Sequence, residues 1–321
     1  MKKFSRAAAL LAASALSLAA AAQVFPPQQP IKVLLPFPPG GGSDSLTRMV
    51  TTPLANLIGQ TVIVDYKPGG NSIIGAQSMA SSKPDGTNFM VTMDMTATIL
   101  PAVYSRLPFD PAKDLEPVAV LTHVPALFVA HPSVPANNLQ ELVAYSKKNP
   151  DKLNYGAAVL YGQLLGQQLK TESGLSYTYV PFKGAAEAVQ AVVAGHLDFM
   201  MLDIQTGLGF IKEGRLKALA ITSPNRHPTL PDVPTVGESG WPKLEMSVWY
   251  GMFAPAGTPP SIIEKMNASV VKATSEPSLR KRLADLGHEV SSDSPAQMKA
   301  LIEKDAAKWR QAARDGNIKL D

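Results

Sequence analysis

The 321-residue chain contains no cysteine. That excludes a disulfide scaffold, thiolate zinc or iron–sulfur ligation, and a cysteine nucleophile. Charge is also sparse: 17 % of residues are Asp, Glu, Lys or Arg, whereas 45 % are hydrophobic. A disordered chain has the opposite balance, so a folded globular protein is expected. The five histidines, His123, His131, His196, His227 and His288, never pair at helical spacing. They are expected in turns or at the surface, not as metal ligands, and no metal or cofactor is implied. Enzyme signatures are thin too. There is no G-x-S-x-G elbow, and Ser269-Val270-Val271-Lys272 and Ser278-Leu279-Arg280-Lys281 match S-x-x-K without its partner motifs. The reading is a non-enzyme, and the competing reading is a secreted hydrolase with Asp94 or Asp203 as acid or base.

Past the first 20 residues, no segment reaches the roughly 18–20 unbroken apolar residues that a spanning helix requires. The start of the chain has another pattern. Lys2, Lys3 and Arg6 precede an apolar stretch from Ala7 to Ala20, and Ala20 and Ala22 form an A-x-A site. These are the three parts of a secretory signal, expected over residues 1–22, with cleavage near Ala22 and export to the periplasm. Removing it takes three basic residues and no acid, so the formal charge of +4 falls to about +1. The remaining basic clusters, Lys147-Lys148 and Arg280-Lys281-Arg282, lie in helical stretches that also carry acids. They read as solvated faces, and nucleic acid is not expected as a partner.

At this length two domains are expected. Apolar runs such as Ile31–Leu35, Thr61–Val64 and Phe89–Met93 alternate with helical periodicity, first near Asp44 and then over Ile73–Ala80. Pro53 is expected to kink or split the first helix. The same alternation resumes from Leu127 to Ile221. It predicts parallel sheets built from βαβ units. The Pro- and Gly-rich stretch from Ser223 to Gly257 reads as ordered surface connection anchored by Trp241 and Trp249, and the chain ends in helices. The absence of a low-complexity linker suggests two lobes joined by crossing strands.

Three glycine-bearing turns follow predicted strands. In Pro36-Phe37-Pro38-Pro39-Gly40-Gly41-Gly42-Ser43-Asp44, the glycines let backbone N–H groups approach a ligand ahead of a helix N-terminus, a geometry that suits a carboxylate. The same stretch also reads as a plain turn. It lacks both the phosphate-loop Gly-Lys-Ser/Thr and G-x-G-x-x-G. The other two turns are Gly156-Ala157-Ala158 and Lys183-Gly184. Asp94 and Asp203 stand at the ends of apolar strands, either as site carboxylates or as caps of the following helices.

Several ordered stretches resemble one family. They are Leu35–Asp44, Pro68-Gly69-Gly70-Asn71-Ser72-Ile73-Ile74-Gly75, Lys83-Pro84-Asp85-Gly86, Val180-Pro181-Phe182-Lys183-Gly184, Leu230–Thr235 and Ala254–Pro259. From about residue 30 onward the chain resembles the periplasmic receptors of tripartite tricarboxylate transporters, the Bug proteins. The resemblance implies a two-lobed α/β periplasmic binding protein (type II). Each lobe would be a mainly parallel sheet flanked by helices, the lobes joined by two crossing strands. Lobe 1 would comprise residues 23–122 and 249–321, and lobe 2 residues 123–248. It implies a monomer that captures a small organic carboxylate by lobe closure. The ligand would pass to the transporter's membrane subunits or, alternatively, be presented to a sensor kinase. The implied ligand contacts are Phe37, Gly41, Gly42, Ser43, Asp44, Asp94, Thr96, Gly156, Ala157, Ala158, Gly162, Lys183, Gly184 and Asp203. The chain departs from the family's Ser/Gly-rich loop and histidine at Ala157–Gln163. There Tyr161 either packs on an apolar ligand body and offers its hydroxyl, favouring a di- or aromatic carboxylate, or serves lobe packing.

Overall fold

The computed structural model describes residues 25–157, 160–182, 185–316 and 318–320. The expected signal segment, Ala158, Lys183 and Gly184 lie outside the described residues. The first lobe begins with β1 (Ile31–Leu35), α1 (Gly42–Ile58), β2 (Val62–Tyr66), α2 (Ile73–Ala80) and β3 (Asn88–Met93). β1 pairs parallel with both β2 and β3. Ile31, Val33 and Leu35 on one face are fully buried, and on the other face Leu34 is buried while Lys32 is exposed. α1 presents Leu46, Val50 and Leu54 to the same core. Helical assignment runs through Pro53 without a break. Three short helices follow: α3 (Met95–Thr98), α4 (Leu100–Val103) and α5 (Pro111–Asp114).

The chain then enters β4 (Leu115–Ala130), 16 residues long. Up to Pro125 it pairs antiparallel with β9 (Ser247–Pro255); from Ala126 it pairs antiparallel with β7 (Phe199–Asp203), and from Leu127 also with β8 (Lys217–Ile221). One strand therefore belongs to both lobes. The second lobe alternates as the first does: α6 (Leu139–Lys148), β5 (Asn154–Ala157), α7 (Leu160–Ser173), β6 (Thr178–Pro181), α8 (Ala185–Val193), then β7, α9 (Ile204–Lys212) and β8. β5 pairs parallel with β6 and β7. The return crossing is tied down by Met246 N, which donates to Thr222 O at 2.9 Å, and by Ala126 N, which donates to Thr222 Oγ1 at 2.9 Å.

Residues 247–255 are not surface connection. As β9 they sit between β3 and β4 in the middle of the sheet, and Trp249, Met252 and Phe253 are buried. The parallel βαβ halves are thus joined through antiparallel central strands, and the sheet is mixed. The chain closes with α10 (Pro260–Thr274), α11 (Pro277–Asp285), the short β10 (Glu289–Val290) and α12 (Pro295–Asp315). α12 starts at a capping box, where Ser294 and Gln297 satisfy each other's backbone N–H groups.

Candidate functional site

A cavity of about 480 Å³ lies where the two lobes face each other, beside the crossing strands. Gly42 and Ser43, at the start of α1, form part of its wall. α1 has Gly41 as its N-cap, and no side chain caps it. Its first N–H groups have no intrahelical acceptor by geometry and carry the positive end of a 17-residue helix. Asp44 does not fill that position. Its carboxylate turns back to accept from Gly40 N at 2.8 Å, from Tyr66 Oη at 2.7 Å and from Arg48 Nε at 2.9 Å. The Gly40 N–H bond, followed by the Tyr66 hydroxyl, holds the Asp44 carboxyl below its ordinary range. Asp44 thus braces the glycine loop.

The opposite wall carries a second helix N-terminus, that of α9. This one is filled by its own chain: Asp203 Oδ1 accepts from Thr206 N at 2.7 Å and Oδ2 accepts from Thr206 Oγ1 at 2.9 Å. The negative charge that α9 favours is already in place, so of these two termini that of α1 is the open, anion-attracting one. Between the two lies an apolar surface of Met93, Val124, Ala126, Val189, Met200, Met201, Leu202 and Val248.

Polar groups complete the rim. Tyr250 Oη accepts from Ser43 Oγ at 3.3 Å, and burial pushes the phenol up to about 12. His288 is bonded on both ring nitrogens, Nδ1 to Thr122 Oγ1 at 3.0 Å and Nε2 to Gln205 Oε1 at 3.1 Å. An amide oxygen on Nε2 requires a proton there, and in the neutral ring Nδ1 then accepts from the threonine hydroxyl. Burial favours the neutral ring, pushing its pKa down to about 4.

Gly42, Ser43, Tyr161 and Asp203 are the sequence-derived candidates that line this cavity. Phe37, half-buried, and exposed Gly41 stand in the loop just before it. Asp94 and Thr96 lie in buried positions and do not line it. The Asp94 carboxyl oxygen Oδ1 accepts from the Tyr161 hydroxyl and from Trp249 N at 3.3 Å. Thr96 joins a hydroxyl chain with Ser72 and Thr92, both at 2.7 Å. The Tyr161 hydroxyl is therefore engaged with protein, and the ring is what faces the cavity. Gly162 lets α7 approach Ala157 of β5 closely, and Gly156 lets Leu197 and Phe182 pack onto β5. A Cβ at Gly156 would stand 2.1 Å from Leu197 Cδ2, and one at Gly162 2.8 Å from Ala157 Cβ.

Sequence reasoning did not select the apolar wall, Gln205, Thr206, Tyr250 or His288. His288 is 4 % exposed and not at the surface. The signal available for it was Gly287, whose φ of +81° ends α11 and turns the chain back inward.

Two α/β lobes around an interlobe cavity that opens on the uncapped terminus of α1 define a solute-binding protein of the periplasmic type. Residues 46–318 match the family described as tripartite tricarboxylate transporter family receptor. The chain belongs to that family, whose members are solute-binding receptors. Solved structures of similar proteins include the periplasmic binding protein BugD, 30 % identical, with a TM-score of 0.79 over 91 % of this chain and 99 % of that one. A protein of R. palustris determined with adipate is 29 % identical, with a TM-score of 0.82 over 91 % of this chain and 99 % of that one. MatC from Rhodopseudomonas palustris, with bound malate, is 32 % identical, with a TM-score of 0.78 over 89 % and 99 %.

Proposed function

We propose that this chain is an exported periplasmic receptor that captures a small organic carboxylate with an apolar body, a di- or aromatic carboxylate, in the interlobe cavity. It would pass the ligand to the membrane subunits of a tripartite tricarboxylate-type transporter. The observation that carries the reading is the uncapped N-terminus of α1 opening on a cavity whose remaining wall is largely apolar. A carboxylate oxygen accepts from the free N–H groups behind Gly41, while methylene or ring surface rests on Met93, Met200 and Met201. The Asp203 carboxylate at α9 disfavours a second anionic group close to that end. The similar protein determined with adipate, whose carboxylates are separated by methylenes, supports an apolar middle.

The proposed lobes are residues 23–122 with 249–321, and residues 123–248, closing about β4 and the segment entering β9. Closure excludes water from the ligand and changes the outer surface a partner meets. Thermal unfolding of residues 23–321 against mono-, di- and tricarboxylates, aromatic acids and amino acids tests the reading. A ligand present at a hundred times its dissociation constant adds about 2.7 kcal/mol of stability. Failure of every acid in the panel to raise the melting temperature overturns it.

A further inference from the structure

Tyr161 stands in α7, which follows β5 of the second lobe, yet its polar contacts are all with the first lobe. Its hydroxyl donates to Asp94 Oδ1 beyond the end of β3 and accepts from Met95 N at 2.9 Å. Its ring meets Trp309 of α12 edge-on, with centroids 5.9 Å apart. Asp94 and Tyr161 are each 1 % exposed. One face of Tyr161 lines the interlobe cavity. Asp94 lines a different cavity, of about 350 Å³, behind the crossing strands. The hydroxyl–carboxyl contact is therefore a buried partition between two cavities, made by one residue from each lobe.

We propose that Tyr161 and Asp94 form a proton-gated latch that holds the lobes together, made when the Asp94 carboxyl is protonated and released when it ionises. This regulates the site proposed above and rests on that reading, but the contact exists without any ligand. The surroundings explain the gating. Burial is the largest influence on Asp94 and pushes its pKa up to about 8; the Tyr161 hydroxyl and Trp249 N–H oppose the rise, and Asp305 adds to it.

The titratable groups around Asp94 are Tyr161 from α7, Tyr250 from β9 and Asp305 from α12. Across the rear cavity stand His123 from β4, Glu245 ahead of β9, Glu289 from β10, and Lys304 and Lys308 of α12. Both flanking cations are directed elsewhere or exposed: Lys308 Nζ donates to Glu245 O, and Lys304 is solvent-exposed. Among the described residues no ion pair compensates an Asp94 carboxylate. Ionised Asp94 is thus a buried charge whose relief is rehydration, and separating the lobes supplies the water.

The test is the interlobe distance by double electron–electron resonance. Because the chain lacks cysteine, Asn56→Cys in α1 and Lys212→Cys at the end of α9 provide two unique, exposed attachment points for nitroxides. In ligand-free protein, raising pH from about 6 to about 9.5 should shift population from the short to the long distance. Asp94→Asn, neutral at both pH values, should hold the short population throughout. Tyr161→Phe, which keeps the ring, should show the long population already at about pH 6, with far-UV circular dichroism confirming the fold. An unchanged wild-type distribution across this pH range overturns the latch. So does Tyr161→Phe behaving as wild type, or Asp94→Asn opening with pH as wild type does. A carboxylate panel that fails beside a pH-dependent distance rejects the receptor reading alone. A successful panel beside a pH-invariant distance rejects the latch alone.

Discussion

Gln205 Oε1 lies 3.1 Å from His288 Nε2, so the first turn of α9 in one lobe is bonded across the cavity to the turn between α11 and β10 in the other. The contact is polar and part-buried, and both residues line the interlobe cavity. Gln205→Ala removes it and leaves the backbone N–H groups of the α1 terminus in place. Ligand affinity should fall by roughly fivefold, the equivalent of one neutral hydrogen bond of about 1 kcal/mol. Isothermal titration of the acid that scores in the panel checks this.

His288 also makes a pH signature. Burial lowers its folded-state pKa to about 4 from an ordinary 6.5. The unfolded chain therefore binds the proton first on acidification. The stability associated with neutral His288 is complete above about pH 6.5 and lost as pH falls towards about 4. The stability of wild type relative to His288→Gln should decline over that interval, read as the difference in their unfolding midpoints. Asp94 runs the other way. Its folded-state pKa is raised to about 8 from 3.8, so its contribution weakens as pH rises from about 4 to about 8. Separate substitution of the two residues should resolve the opposing slopes.

The apolar wall predicts a chain-length dependence. Met93, Met200, Met201, Val189 and Val248 contact the ligand's middle in the proposed pose, and each added methylene buries surface worth about 0.8 kcal/mol. Across succinate, glutarate and adipate, affinity should rise by roughly fourfold per methylene, measured by competition or direct titration. A flat series would contradict an apolar middle.

Much of this arrangement is written locally. The βαβ halves are legible because buried strands and amphipathic helices carry their own periodicity, as Ile31–Leu35 and Leu139–Lys148 do. β9 is not. Val248 to Ala254 is apolar, but it stands between Pro242 and Pro255 in a stretch rich in turn residues. Its partners β3 and β4 lie more than a hundred residues upstream. Pairing over that distance leaves no local mark, and the length of β4 is hidden for the same reason. At the site, the glycine turn before α1 announces itself through composition. The apolar wall cannot, because Met93, Val124, Val189, Met200 and Val248 come from five different elements. In sequence each is simply a core residue. The reversal of Asp44 into its own loop is equally invisible, since an acid in the first turn favours the helix whichever way it points.

Gly42→Pro isolates the backbone donors. Proline is tolerated at the first helical position, and Gly41 at φ −87° and ψ 178° already has the extended conformation a following proline requires. A Cβ at Gly42 meets Gln205 Oε1 at 3.5 Å, an ordinary contact. The substitution removes one N–H from the open α1 terminus while α1 survives. Affinity should fall roughly tenfold or more, as for a hydrogen bond to a charged group, with little change in the unfolding midpoint of the free protein.

The central claim is that α1 receives a carboxylate. Its most direct test is isothermal titration of residues 23–321 with the best acid of the panel and with the derivative in which carboxyl is replaced by primary carboxamide. Shape and apolar body are unchanged; the anionic charge is lost and one acceptor oxygen is replaced by an NH2 donor. The acid should bind, and the amide should be weaker by at least about a hundredfold. Equal affinity for acid and amide would contradict it.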